Sequence, residues 1–441
     1  MNRGARALRG SSYDVAPSAA RLTESLRDIG YDLPTAIADL VDNSISAGST
    51  DVRIDFQYDG VKSTITVSDD GCGMSANGIL EALRFGSRRS YETGDLGRFG
   101  LGLKTASFSQ CRRLTVVSRF RGRGREVVST RILDLDIIAE WDEWLIVEEA
   151  PTRVVEDAIA RLQNTAGGTT VVLEKLDRVL PKTTADTGWG RRRLNTAARK
   201  TSEHLAIVFH RYLDGLADGR RISISVNGEK LSSWDPFARD EEQTEELPVT
   251  TLELERAGST REIELRRFVL PARSSFSSPE AFESLSGPLK WNRQQGLYIY
   301  RVDRLVQYGG WNGIRAIDEH TKLARASVDF STDLDEEFQI NVAKMSIVIP
   351  PDIRPMLEEP IHDLCIRASD RYRRAGEGRE VKGSGSIKRG TADLGDVGIA
   401  LRAAAFETGT VKELEGLFDL LEKRSPEVHR ALAVDTTPMV G

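Results

Sequence analysis

The chain has 441 residues, of which 39% are hydrophobic and 29% charged, and its formal net charge is −6. At about 100–200 residues per domain this length predicts two or three domains. The negative balance argues against a protein coated in basic patches for nonspecific nucleic-acid binding. No apolar run approaches the ~20 residues of a membrane-spanning helix. The three cysteines are far apart and lack CxxC spacing, so the sequence supports neither a zinc cluster nor a disulfide framework, and we expect a reducing cytoplasm.

The N-terminal part of the chain predicts a flexible arm, residues 1–17, followed by two helices. Helical periodicity starts near Ser18 and resumes after a turn at Tyr31–Pro34. Two strand-like runs, DVRIDFQY and KSTITVSD, follow and are joined by Asp59-Gly60, which is a strong hairpin signal.

A long segment from Gly71 to Gly102 is rich in glycine and serine and has helical content only near Asn77 to Arg84. A loop of that length in a compact domain is typical of a functional lid. Strands resume at RLTVVSRF, EVVSTRILDL and GGTTVVLEKL, and a helix over Leu194 to Leu213 ends the first domain.

A second α+β unit is predicted after that helix. The run RISISVNGEKL reads as a hairpin on Asn227-Gly228, and further strands are predicted at TLELER, EIELRRFVL, GLYIYRVDRLV, ARASVDF and FQINVAKMSIVI. After Pro355 we expect a helix to about Arg374, a polar linker near residues 375–391 and two short helices.

The helix ADLVDNSISAG, Ala38 to Gly48, has an unusual polar face. At one hundred degrees per residue, its apolar arc holds Ile37, Leu40, Val41 and Ile45. The opposite arc holds Asp39, Asp42, Asn43 and Ser46. One face should therefore pack into a core while the other offers carboxylates and an amide to a ligand.

Two glycine motifs accompany this helix. SDDGCGM, Ser68 to Met74, ends a strand and places Gly71 and Gly73 where backbone can approach a ligand closely. GDLGRFGLGLKTASFSQC, Gly94 to Cys111, puts four glycines ahead of a helix, and backbone N–H groups there suit phosphates. Taken alone, SDDGCGM could be a plain β-turn, and the glycine-rich run from Gly94 could be a flexible linker.

In this order, with GGTTVVLEKL after them, the motifs resemble the nucleotide-binding motifs of the GHKL ATPases, which include gyrase, the heat-shock chaperone ATPase, histidine kinases and MutL. The resemblance is closest to prokaryotic MORC-like ATPases. It implies an α+β chain with a Bergerat-type ATP-binding α/β sandwich over residues 18–190. A transducer-like (ribosomal S5-like) α+β domain over residues 191–355 and a short helical C-terminal region over residues 356–441 would follow.

The resemblance also implies roles for the polar residues of the first helix motif. Asn43 would bind Mg²⁺ beside the phosphates of ATP, since magnesium prefers oxygen ligands. Asp39 stands where most family members have a glutamate that activates the attacking water, and aspartate is one methylene shorter. Asp42 could share or replace that role, although the register of the motif favours Asp39.

The nucleotide itself would be held by the remaining motifs. Asp69 would accept a hydrogen bond from the adenine amine, with Thr169 or Thr170 assisting. The further nucleotide-binding residues implied by the motifs are Gly71, Gly73, Met74, Gly97, Arg98, Phe99, Gly100, Leu101, Gly102, Leu103 and Lys104. Lys104 could equally be a solvated helix residue. Lys344, in the second domain, would reach the γ-phosphate, and the competing interpretation is a surface lysine.

These roles predict an ATPase that closes on ATP, forms a homodimer and hydrolyses ATP slowly, in DNA maintenance or restriction and defence. A regulatory or chaperone-like module with little hydrolysis is the alternative. A histidine kinase is disfavoured because only some 17 residues precede the first helix and all five histidines follow it. The expected partners are a second copy, DNA through arginine clusters such as Arg191 to Arg193 beside Trp189, and proteins of a DNA-processing or defence system, but no membrane.

Overall fold

The computed structural model describes residues 17–28, 31–85, 102–122, 127–217, 219–256, 259–340, 347–380 and 410–425. The chain divides into two compact units, Met1–Ala375 and Gly376–Gly441. In the described ranges, no helix is long and apolar enough to span a bilayer. The arm predicted over residues 1–17 lies outside the described residues except for Pro17.

Twelve α-helices are described in these ranges: α1 Ala19–Arg27, α2 Leu33–Ser46, α3 Ala76–Leu83, α4 Gly102–Phe108, α5 Leu135–Trp141, α6 Arg153–Gln163, α7 Gly188–Val208, α8 His210–Asp214, α9 Pro279–Leu285, α10 Lys290–Gln294, α11 Ile353–Glu380 and α12 Val411–Arg424. The strands are β1 Asp51–Gln57, β2 Thr64–Asp69, β3 Arg113–Arg119, β4 Ser129–Asp134, β5 Gly168–Glu174, β6 Ser223–Val226, β7 Glu229–Lys230, β8 Glu245–Arg256, β9 Ser259–Val269, β10 Gly296–Arg301, β11 Arg304–Tyr308 and β12 Ala324–Phe330.

The first sheet has seven strands in the order β4-β3-β5-β2-β1-β6-β7. The hairpin predicted at Asp59-Gly60 joins β1 to β2, which pair antiparallel with Val52 opposite Asp69. Strand β6 adds to the far side of β1 in parallel. The core of this sheet is built from its apolar strand residues together with the buried faces of α2 and α7.

The second sheet has five strands in the order β11-β10-β12-β9-β8. Strands β10 and β12 are parallel, whereas β12 with β9, β9 with β8 and β10 with β11 are antiparallel. A second core lies between this sheet and the buried residues of α11 up to Ala368. Together the two mixed sheets and their helices confirm the α+β prediction.

Several sequence predictions differ from the structure. The hairpin on Asn227-Gly228 is β6–β7, and it extends the first sheet rather than starting a second unit. The predicted boundary at residue 190 falls inside α7. The run GLYIYRVDRLV is a hairpin, because Val302 and Asp303 adopt left-handed φ values of 49° and 60°. The residues around the strand predicted at FQINVAKMSIVI are irregular at 338–340 and 347–349, and its centre lies outside the described residues.

Helix α2 shows how local sequence builds the site. Asp32 caps it by accepting the Thr35 N–H at 2.9 Å, and Pro34 occupies the first turn, where its missing N–H is harmless. The predicted apolar arc is buried, as expected. The polar arc, however, is divided: Asp39 and Asp42 are only 2% and 0% exposed, while Asn43 and Ser46 are exposed.

Candidate functional site

A row of three polar side chains crosses one face of the first sheet. Asp69 of β2 lies opposite Thr169 of β5, and Thr169 lies opposite Ser118 of β3. Directly paired residues project to the same face of a sheet. The hydroxyls of Thr169 and Ser118 are 2.9 Å apart, and the Ser118 oxygen accepts the Met74 N–H at 2.7 Å. The row therefore connects the end of β2 to the DxGxG turn.

The carboxylate of Asp69 is fixed from several sides. It accepts hydrogen bonds from the Gly71 N–H at 2.9 Å and from the Ser44 hydroxyl at 3.1 Å. Burial raises the pKa of Asp69, while these hydrogen bonds and one from the Thr169 N–H act in the opposite direction. The contact with Ser44 ties this position to α2.

The neighbouring Asp70 has a different role. Its carboxylate accepts the Ser49 hydroxyl at 2.6 Å and the N–H groups of Thr50 and Asp51 at 2.7 and 2.9 Å. Burial acts to raise the pKa of Asp70, but these hydrogen bonds outweigh it and hold the pKa at about 2. Asp70 therefore fixes the connection into β1, and Asp69 faces the polar row.

The two glycines of SDDGCGM lie where a side chain would collide with backbone. A β-carbon on Gly71 would lie 2.9 Å from the carbonyl oxygen of Ala47, at the end of α2. Gly73 has a φ of +67°, and a β-carbon there would lie 1.8 Å from the carbonyl oxygen of Arg119. The Cys72 N–H donates to the Ala47 oxygen at 2.9 Å, so this turn is packed against α2.

The buried acids of α2 are held by residues from outside the helix. The Tyr31 hydroxyl donates to Oδ2 of Asp39 at 2.9 Å, and burial followed by the charge of Asp39 raises the pKa of Tyr31. Nε of Arg304 lies 2.9 Å from both carboxylate oxygens of Asp42, and its Nη2 lies 3.6 Å from Oδ1 of Asp39. Unlike Asn43 and Ser46 on the same polar arc, these two acids are therefore buried, and a guanidinium from β11 compensates their charge.

Asn43 is exposed one helical turn beyond Asp39, and it makes no hydrogen bond through its side chain to the part of the chain that the structure describes. In that part, no group of three or more His, Cys, Asp or Glu side chains could hold a metal ion. The residues present fit Mg²⁺ in another way, because magnesium at nucleotide sites takes most ligands from phosphates and water and few from protein.

The first residue of α4, which is the last glycine of the glycine-rich motif, lies beside Asp39. A β-carbon on Gly102 would lie 3.8 Å from Oδ2 of Asp39. Leu103 is partly buried against the first core. Gly97, Arg98, Phe99, Gly100 and Leu101 lie outside the described residues, as does Lys344, so their predicted phosphate contacts stay predictions.

Lys104 is not a solvated helix residue. It is 1% exposed, and its ammonium donates to the carbonyl oxygens of Ala82 and Arg84 at 2.8 Å each, at the C-terminal end of α3. Burial lowers the pKa of Lys104 to about 8. Its charge is favourable there because the C-terminal end of a helix carries partial negative charge.

Four residues of this site were not predicted from sequence: Tyr31, Ser44, Ser118 and Arg304. A tyrosine in a turn and a serine in a strand carry no signal of their own. Ser118 could have been found by placing β3 beside β5 in register with Thr169. Arg304 lies more than 260 residues from Asp42 in the chain, and no local pattern connects them.

Comparison with known proteins agrees with this geometry. Residues 31–169 match the family model described as histidine kinase-, DNA gyrase B-, and HSP90-like ATPase. The chain is 38% identical over 90 residues to "ATPase morc-1" of Caenorhabditis elegans, covering 20% of this chain and 10% of that protein. It is also 38% identical over 93 residues to "DNA mismatch repair protein MutL" of Paramagnetospirillum magneticum, covering 20% of this chain and 15% of that protein.

These alignments span only a small part of either relative, and the family match covers less than half of this chain. The matched range contains α2, the DxGxG turn and the start of β5, which are the elements that form the polar row and hold the two acids. Residues 31–169 therefore contain a domain of the GHKL type, which matches the histidine kinase-, DNA gyrase B- and HSP90-like ATPase family.

Proposed function

We propose that this protein is an ATP-dependent conformational switch, which binds ATP on the first sheet, dimerises when ATP is bound, and hydrolyses it slowly. The observation that carries the proposal is the meeting of three motifs around α2. Asn43 is exposed on this helix, Gly102 lies beside Asp39, and Ser44 binds the Asp69 carboxylate. Helix α2 thereby carries Asp39 and Asn43 and also holds the Asp69 carboxylate, which we propose binds adenine.

Within this proposal each residue has one task. Asp69, with Thr169, accepts a hydrogen bond from the adenine amine. This contact selects adenine over guanine, because guanine presents a carbonyl at the same position. Asn43 supplies an oxygen to Mg²⁺, which when bound would neutralise charge on the phosphates. Asp39 takes a proton from the attacking water. The amides from residues 98–103 bind phosphate. Lys344, which follows the second sheet in the chain, contacts the γ-phosphate.

Asp39 is supported over Asp42 as the base by two contacts. Asp42 is bound by Nε of Arg304 through both oxygens, whereas Asp39 lies beside Gly102, where the glycine-rich segment enters α4. A general base must lie within hydrogen-bond reach of the attacking water, and the position of Asp39 beside Gly102 favours it over Asp42 for that role.

A second candidate function is a regulatory or chaperone-like module that binds ATP with little or no hydrolysis. The observation in its favour is the burial of Asp39, whose Oδ2 already accepts the Tyr31 hydroxyl. A shorter acid held in this way activates water poorly unless it is released on ATP binding.

The proposed association with DNA is supported by a basic cavity of about 580 Å³ beside α7. Its lining includes Arg178, Arg192, Arg193, Lys200 and the ring of Trp189, and no acidic side chain. Cations with an aromatic platform suit the phosphates and bases of a nucleic-acid strand. We expect Arg192→Glu with Lys200→Glu to weaken DNA binding, with Arg199→Glu, on the same helix but outside the cavity, as the control.

The testing experiment measures ATP turnover with and without DNA for the wild type, Asp39→Asn and Asn43→Ala, and the molar mass in solution with a nonhydrolysable ATP analogue. We expect both variants to lose turnover and Asp39→Asn still to dimerise. A wild type that binds ATP without turnover or dimerisation would leave the binding module as the better description. Unchanged turnover by Asp39→Asn would refute Asp39 as the base.

A further inference from the structure

Arg304 reaches the acids of α2 from the opposite sheet. It is the first residue of β11, at the edge of the second sheet, and it is 1% exposed. Its guanidinium lies 2.9 Å from the Asp42 oxygens and 3.6 Å from Oδ1 of Asp39. One cation is therefore shared by two buried carboxylates, both on the helix that carries the proposed base.

The surroundings of this cluster make the arginine hard to replace. Desolvated charges need a partner and complete hydrogen bonding. The Tyr31 hydroxyl holds one oxygen of Asp39, and Arg304 is the cation on the other side. The centre of the Phe209 ring lies 6.0 Å from the guanidinium carbon of Arg304.

The turn before Arg304 is fastened to α8. The Tyr212 hydroxyl donates to the Val302 carbonyl oxygen at 2.8 Å, and Nη1 of Arg211 lies 3.0 Å from Oδ1 of Asp303. Arg211 also binds Asp329 of β12. The position of the guanidinium thus depends on how the β10–β11 hairpin lies against α8.

We propose that Arg304 is a positioning residue for ATP hydrolysis, which orients the Asp39 carboxylate from the second sheet and makes the chemical step depend on the β10–β11 hairpin. This inference rests on the proposed function. Arg304 does not touch nucleotide in this role; it acts through Asp39 and Asp42. A carboxylate oxygen displaced by about 1 Å can cost a factor of about 100 in rate, so a movement of the hairpin would change turnover without changing nucleotide binding.

The chain offers a matched control in Arg301, at the other end of the same hairpin turn. Arg301 is also buried, and its Nε and Nη2 bind Asp335 at 2.6 and 2.8 Å. Arg301→Gln breaks the buried ion pair between Arg301 at the end of β10 and Asp335. It does not remove the guanidinium that pairs with the acids of α2.

The experiment compares the wild type, Arg304→Gln, Arg304→Lys and Arg301→Gln. It measures kcat and KM for ATP, the Kd of a nonhydrolysable ATP analogue and the melting temperature. For Arg304→Gln we expect kcat to fall by about 10–100-fold with the Kd changed by less than about threefold. Arg304→Lys retains the positive charge, so its kcat should lie at least halfway, on a logarithmic scale, between those of Arg304→Gln and the wild type. Arg301→Gln should lower the melting temperature with kcat within about threefold of the wild type.

The inference is overturned if Arg304→Gln folds and keeps its kcat, or if the two glutamine variants lose kcat equally. If Arg304→Gln does not fold, Arg304→Lys decides: a Kd weakened at unchanged kcat contradicts a positioning role. A wild type without turnover refutes the proposed function and this inference together. Turnover that needs Asp39 but not Arg304 refutes the inference alone.

Discussion

Replacing Gly73 with alanine tests whether the DxGxG turn is fixed by backbone packing. Gly73 has a φ of +67°, which costs an L-residue about 1–2 kcal/mol. The new β-carbon would lie 1.8 Å from the Arg119 carbonyl oxygen, and nonbonded atoms pack at about 3.5 Å. Either the turn or β3 must therefore move by more than about 1 Å, which costs a further 1–3 kcal/mol or so. We expect the free energy of unfolding to fall by about 2–5 kcal/mol.

Gly48 provides the matched control for this prediction. It has a φ of +72°, and a β-carbon there would meet nothing within 4 Å. Gly48→Ala should therefore cost only the conformational term, about 1–2 kcal/mol. Urea unfolding at an unchanged m value measures both variants. Equal destabilisation by the two substitutions would refute the close approach of Gly73 to β3.

The remaining predictions concern the polar row and Lys104. Burial raises the pKa of Asp69 above its usual value. If Asp69 binds the adenine amine as proposed, ATP affinity should fall as the pH drops through that raised pKa, because a protonated carboxyl is a poorer acceptor. Titration calorimetry at several pH values should show no such fall for Asp69→Asn. Ser118→Ala removes the acceptor of the Met74 N–H and should lower the free energy of unfolding by about 1–3 kcal/mol, with weaker ATP binding; unchanged stability would contradict that contact. Lys104→Met leaves two carbonyl oxygens of α3 without their donor and should destabilise the protein by about 2–4 kcal/mol. A large loss of ATP affinity in Lys104→Met at an unchanged melting temperature would support the phosphate contact instead.

Local sequence patterns predicted the elements of the site well. The periodicity of α2, the Asp59-Gly60 turn and the Asp69 strand end all depend on residues within a few positions of one another. The structure gives each of them its expected form, from the Asp32 cap to the antiparallel pairing of β1 with β2.

The pairing of distant elements could not be predicted in the same way. The hairpin that presents Arg304 turns at Val302 and Asp303, and neither is a residue that sequence rules associate with left-handed turns as strongly as Asn-Gly. Buried Asp39 and Asp42 look like solvent-facing acids until their cation is known. Lys104 likewise resembled a helix-surface lysine because its partners, the α3 carbonyls, are supplied by tertiary packing.

The parallel pairing of β6 with β1 decides where this ATPase domain can be cut. A fragment ending at residue 190 would contain every nucleotide motif of the first sheet but would lack residues 223–226, which cover the open side of β1 from Asp51 to Ile54. An unpaired strand edge can pair with a strand of another chain. Such a fragment would therefore tend to associate through β1 whether or not ATP is bound. The proposed ATP-dependent dimerisation is therefore best tested in a chain that retains residues 223–226 beside β1.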